Sequence, residues 1–161
     1  MKILLYTRRN VGLYCLSHLV ALGHEVSVMT DDEDVNWLAD RYGCRVVENG
    51  AWEMMPDYDL FICIHGNKII PGVWLKGLMV NIHPCLTLGL KGKNPVKRYM
   101  EAGFTKATVS SHFMTELVDG GEIIHTEEFE TGDIYSYQEF YDAALPHYYK
   151  CLEQTLNKIL K

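Results

Sequence analysis

Apolar runs and polar breaks alternate along the first half of the chain. KILLYT, residues 2–7, is a short apolar run and reads as a buried strand. NVGLYCLSHLVALG follows, with Leu13, Leu16, Leu19, Val20 and Leu22 at helical spacing and Gly23 as the stop. HEVSVMT predicts a second strand. DDEDVNWLADRYG opens on acidic residues suited to a helix N-terminus and ends at Gly43. CRVVE, YDLFICI and GLMVNIH predict three more strands. The β-α-β-α-β order indicates a parallel sheet covered by helices.

After Pro84 the pattern changes. NPVKRYMEAG predicts a short helix ending at Gly103. ATVSSHFMT and EIIHTEEFE alternate as strands, with Leu117 to Gly121 between them. From Tyr137 to Lys161 the residues Phe140, Ala144, Tyr148, Leu152, Leu156 and Ile159 recur at helical spacing, an amphipathic closing helix that Pro146 is expected to start or kink. No linker or repeat interrupts the chain, so the expectation is a single domain over residues 1–161. The fold class expected is α/β: a Rossmann-like, mostly parallel sheet with flanking helices.

In such sheets ligands bind beyond the C-terminal ends of the strands. Three loops qualify: TRRNVG, HGNKIIP and HPCLTLGLKG. In the last, Asn81 and His83 are two residues apart, so on a strand they share a face, and Pro84 ends the run. Asp119 precedes two glycines in ELVDGGEII. An Asn amide can hold a developing oxyanion, a His can donate to it or move a proton, and an Asp can orient the imidazole. Such a trio suits acyl transfer to a neutral nucleophile. Cys85 lies near His83, but no known nucleophile pattern surrounds it. On residue types alone, a capped strand end and an ordinary turn explain these motifs as well.

Charge and cysteines narrow the classes. The net charge of −6 over 161 residues argues against nucleic acid as the main partner. No stretch approaches a membrane span, and MKILLYT is too short for a signal core. The five scattered cysteines lack a C-x-x-C and suggest reduced thiols in a cytoplasmic protein, with no zinc-site spacing and no metal expected.

The stretch NIHPCLTLGLKGKNP, with ATVSSHFMTELVDGGEIIHTEEF downstream, resembles the formyltransferases that use 10-formyltetrahydrofolate. These act on glycinamide ribonucleotide, methionyl-tRNA or amino sugars. The likeness rests on N-x-H-P, a loop ending in glycine, and a His-to-Asp segment closing on D-G-G. It runs from about Val80 to Phe129 and more loosely over the first half. It implies a formyltransferase-type fold, 10-formyltetrahydrofolate as formyl donor and a small-molecule primary amine as acceptor. That acceptor would be a nucleotide-linked amino sugar or a glycinamide ribonucleotide-like compound. The catalytic residues implied are Asn81, His83 and Asp119. The pterin head would meet His65, Gly66 and Asn67 on one side, partly through main-chain hydrogen bonds, and Met114, Thr115, Glu116, Leu117 and Val118 on the other. Gly92 matches the loop glycine, and His112 the histidine before the acidic loop.

The chain also departs from that family. CLTL stands where SLLP is usual, and TRRNVG replaces a glycine-rich phosphate loop. Arg8, Arg9 and Asn10, together with Gly92, are therefore the expected acceptor-binding residues. In an extended loop the two arginines diverge, and one would face the cleft as a fork for phosphate oxygens. Two solvated surface arginines are the alternative. No tRNA-binding extension is expected. The chain is short for the family, so the acceptor pocket is either open or completed by a partner, and a homodimer is compatible with this. Hydrolysis of formyltetrahydrofolate, or folate binding without catalysis, are the rival functions.

Overall fold

The computed structural model describes residues 1–161. Seven strands form one sheet: β1 (Lys2–Thr7), β2 (Glu25–Thr30), β3 (Arg45–Glu48), β4 (Leu60–Ile64), β5 (Met79–Pro84), β6 (Lys106–Phe113) and β7 (Ile123–Glu130). Their order is β3-β2-β1-β4-β5-β6-β7. Four helices accompany them: α1 (Arg9–Ala21), α2 (Glu33–Arg41), α3 (Pro95–Ala102) and α4 (Tyr137–Ile159). This is the expected Rossmann-like α/β class. By internal contacts the chain divides into two compact units, Met1–Asn81 with Met114–Glu116, and Ile82–Phe113 with Leu117–Lys161.

In the first unit β1 pairs in parallel with both β2 and β4, which sets Leu5 beside Val28 and Ile62. Every residue of β4 is buried, as are Ile3 to Thr7 of β1. Strands covered on both faces must be apolar throughout, which is why these segments read as unbroken apolar runs. Full burial of each such Leu or Ile contributes about 1.5–3 kcal/mol. One face of the sheet carries α1 and α2. A cluster of Leu4, Tyr6, Phe61, Trp52, Ile70 and Met79, with Met114 against it, forms a separate part of the unit's core.

Asp32 sets the start of α2: its Oδ1 accepts from the Asp34 and Val35 amides at 3.1 Å. Its Oδ2 also accepts from the Arg9 amide at 2.9 Å. With Gly12 N–H on Arg8 O at 3.3 Å, this begins α1 at Arg9. The helix expected over NVGLYCLSHLVALG thus begins one residue early, at Arg9, and takes most of TRRNVG with it. Thr7 ends β1, Arg8 is extended, and Arg9 is left-handed at φ 63°.

In the second unit β6 and β7 form an antiparallel hairpin, and α4 packs on both. The buried face of α4 includes Phe140, Ala144, Tyr148, Leu152 and Leu156, as the spacing predicts. The helix starts at Tyr137, behind its N-cap Ser136, whose Oγ accepts from the Glu139 amide at 3.2 Å; Pro146 is interior and not the start. α3 follows its sequence signals, with Pro95 in its first turn and Gly103 left-handed beyond its end.

Candidate active site

His83 lies near the end of β5, 7% exposed, between the apolar Ile82 and the strand stop at Pro84. Its Nδ1 is 2.6 Å from Pro84 O. Its Nε2 is 3.1 Å from Asp119 Oδ2 and 3.4 Å from Gly92 O. A carbonyl and a carboxylate only accept, so a ring with a proton on each nitrogen satisfies all three contacts. Asn81, two residues earlier on the same strand, carries its side chain toward the same face.

Asp119 is held in the turn between β6 and β7 in a left-handed conformation at φ 54°. Asp is among the few residues that adopt this locally. The Gly92 amide donates to its Oδ2 at 2.6 Å. On the other side His112 Nε2 lies 3.5 Å from Oδ1. His112 is anchored as His83 is, with Nδ1 2.9 Å from the carbonyl of the next residue, Phe113. A register irregularity between Ser111 and His112 sits at this point of the hairpin. Bulges of this kind re-aim side chains. Burial alone would raise the Asp119 carboxyl's pKa. Hydrogen bonds from His112 and His83, the charge of His83 and the Gly92 amide outweigh it and hold the group well below the usual carboxylate range. The cluster is thus a fixed anion between two imidazoles.

Cys85 turns the chain at φ 59° and is fully buried. Burial pushes its thiol up to about 12, against a smaller opposing effect from the Thr108 backbone contact. Such a thiol is inert as a nucleophile.

The two stretches expected at the pterin head lie in the first unit, apart from Leu117 and Val118. Both reach one cluster: Met114 packs against it, and the backbone of the first stretch meets Tyr6, one of its members. Glu116 comes within 3.5 Å of where a side chain on Gly72 would begin. Leu117 and Val118 are exposed and belong to the second unit. The Asn67 amide differs from expectation. It donates to the Tyr6 hydroxyl at 3.1 Å, so it is used inside the protein. Gly92 directs its amide to Asp119. Arg8 Nε is 2.6 Å from Asp31 Oδ1. Asn10 lies in the first turn of α1.

A family model described as formyl transferase matches residues 53–156 of the chain. The chain belongs to the formyl transferase family. Among curated relatives, formyltetrahydrofolate deformylase 2 of Arabidopsis thaliana is 33% identical over 81 residues, which cover 48% of this chain and 25% of that protein. The trifunctional purine biosynthetic protein adenosine-3 of Gallus gallus is 34% identical over 93 residues, 54% of this chain and 9% of that protein. The chain thus spans a quarter or less of these curated relatives. The crystal structure of phosphoribosylglycinamide formyltransferase from Anaplasma phagocytophilum shares the fold, with a TM-score of 0.83 at 19% identity over 97% of this chain and 85% of that one. The family match contains Asn81, His83, Gly92, His112, Asp119 and both expected pterin stretches, whereas Arg8, Arg9 and Asn10 lie outside it. Sequence reasoning did not single out Tyr6, Asp31 or Asn49, whose side chains join Arg8 to Asn67. No motif marks them, because they come together only through strand order.

Proposed function

We propose that the chain catalyses transfer of a formyl group from 10-formyltetrahydrofolate to a primary amine. The observation that carries the reading is Asp119 fixed between His83 and His112 with the Gly92 amide on its Oδ2, in a chain of the formyl transferase family. The donor supplies the formyl carbon and a nitrogen leaving group. The Asn81 amide and a His83 N–H stabilise the charge developing on the formyl oxygen as a neutral amine attacks. In the ligand-free geometry both His83 nitrogens face protein acceptors, so the ring exchanges one of those contacts to serve the substrate. Asp119 orients the imidazole, and water held by its carboxylate passes the proton lost by the amine to the donor nitrogen as the bond from that nitrogen to the formyl carbon breaks. The loops at His65–Asn67 and Met114–Val118 hold the pterin head, with the Asn67 side chain and the loop carbonyls contributing in place of its amide.

For the acceptor we favour a nucleotide-linked amino sugar or a ribonucleotide amine, met by Arg9 and Asn10 at the start of α1. Arg8 stands beside them, its guanidinium held in place by Asp31. A second reading has a specific support: the Arabidopsis relative is named a formyltetrahydrofolate deformylase. With water as acceptor the same residues would release formate.

The deciding experiment incubates the protein with 10-formyltetrahydrofolate and a panel of amino-sugar nucleotides and glycinamide ribonucleotide. Tetrahydrofolate release is followed by absorbance and products by mass spectrometry. A formylated amine is expected. Stoichiometric formate on every amine would establish the hydrolase reading, and no turnover at all would overturn both.

A further inference from the structure

We propose that Tyr6 is a positioning residue for the loop that receives the formyl donor, and that Asn49, Asp31 and Arg8 form the outer part of the same support. The inference rests on the reading that residues 65–68 meet the donor.

Tyr6 is fully buried near the end of β1. The loop after β4 lies directly on it. A Cβ on Gly66 would come within 2.4 Å of the Tyr6 ring and 2.7 Å of Cys63 Sγ, so only glycine fits there. His65, just before, takes a left-handed conformation at φ 64° to bring the chain over the ring. The backbone then turns its amides down: Asn67 N and Lys68 N lie 3.1 and 2.9 Å from the Tyr6 hydroxyl oxygen. A phenol oxygen has two lone pairs and one proton. The two amides use the lone pairs, and the proton goes to Asn49 Oδ1 at 2.9 Å, nearer than Asn67 Oδ1 at 3.1 Å.

Asn49 extends the support outward. Its amide donates to Asn67 Oδ1 at 2.7 Å and to Asp31 Oδ2 at 2.8 Å. Arg8 then donates to Asp31 Oδ1 at 2.6 Å. Lys68 closes a parallel link, its Nζ donating to Asn49 O at 2.7 Å. The path from Arg8 to the loop is therefore a continuous chain of hydrogen bonds. Phenylalanine at position 6 would keep the ring under Gly66 but leave two inward amides without their acceptor. Buried donors stranded in this way are costly, so the loop would move to find water. The same chain assigns Arg8 a role toward the donor loop, since the atoms that orient it are Asp31 and, through it, Asn49.

The test compares wild type with Tyr6→Phe, Asn49→Ala and Arg8→Ala. One arm needs no ligand: amide hydrogen exchange of residues 65–68, with α4 as the internal reference. Exchange at Asn67 and Lys68 should accelerate in Tyr6→Phe and Asn49→Ala while α4 is unchanged. The other arm titrates 10-formylfolate, the stable oxidised form of the donor, by calorimetry. Its affinity should fall roughly 10- to 100-fold in Tyr6→Phe and severalfold in Arg8→Ala. The KM for the amine should stay put in Tyr6→Phe and Asn49→Ala. If Tyr6→Phe does not fold, Asn49→Ala carries the exchange arm and Arg8→Ala the affinity arm. Unchanged exchange, or faster exchange with unchanged 10-formylfolate affinity, overturns the proposal and leaves the donor reading standing. A wild-type protein that does not bind 10-formylfolate overturns the donor reading and this proposal with it.

Discussion

The side chain that organises the candidate site is Asp119, and its neighbours define what its loss would do. Replacing His83 or Asp119 by Ala should lower turnover about 100- to 1000-fold, the scale for losing a group that stabilises developing charge. Binding of 10-formylfolate should survive in both, because neither residue belongs to the loops assigned to the pterin. Near-normal turnover in either variant would end the mechanism. The carboxyl's low pKa also has a consequence for folding. A carboxylate whose pKa is depressed in the folded state stabilises the fold at neutral pH, and that contribution is lost as pH falls below the ordinary carboxylate range. Between the two pKa values the unfolded chain binds more protons, so stability rises with pH there. Melting temperatures of wild type and Asp119→Asn should therefore differ most at pH 6 and converge as the pH is lowered below about 4. A gap that stays constant to low pH would contradict the arrangement. The N-x-H-P and D-G-G motifs made His83 and Asp119 legible in the sequence. The second imidazole's approach to Asp119 was not legible in the same way, because it depends on a register irregularity at Ser111 and His112 that follows from pairing with β7.

At the scale of elements, the strands and helices were readable wherever one local signal dominated. LFICI is apolar throughout and is buried throughout. The α4 spacing selected its buried face and its start at Tyr137, although the helix runs through Pro146. α1 starts at Arg9, one residue ahead of the helical pattern, and the cause of that start is not local. The Arg9 amide is held by Asp32, which also caps α2, so one carboxylate fixes two helix starts. That sharing predicts an order of effects. Ser136→Ala removes one cap bond and should cost about 1 kcal/mol. Asp32→Ala removes the α2 cap bonds and the Arg9 contact together, and should lower the melting temperature more than Ser136→Ala does. Equal losses would show that the Arg9 contact contributes nothing.

At the scale of the whole molecule, charge bears on the small-molecule acceptor proposed above. The chain carries a net charge of −6. Lys and Arg total 15 against 21 acidic residues, and the guanidinium of Arg8 is already committed to Asp31. Binding a polyanion requires releasing its counterions to a basic surface, and rates or affinities built that way fall steeply as salt is added. A protein with a net negative field has no such dependence to lose. A small amine, with at most one phosphate group or a pyrophosphate, needs only local contacts, and salt screens the general repulsion beyond a Debye length of about 10 Å at 0.1 M. Formyl transfer to the productive small amine should therefore hold steady or rise in kcat/KM as KCl goes from about 50 to 200 mM. Methionyl-tRNA should remain unformylated over the same range. The measurement is initial rate against salt for the best amine of the panel, with methionyl-tRNA tested in parallel by acid-stable label. A steep fall in rate with salt, or efficient formylation of the tRNA at low salt, would show a basic surface at work and would move the acceptor from small molecules to nucleic acid.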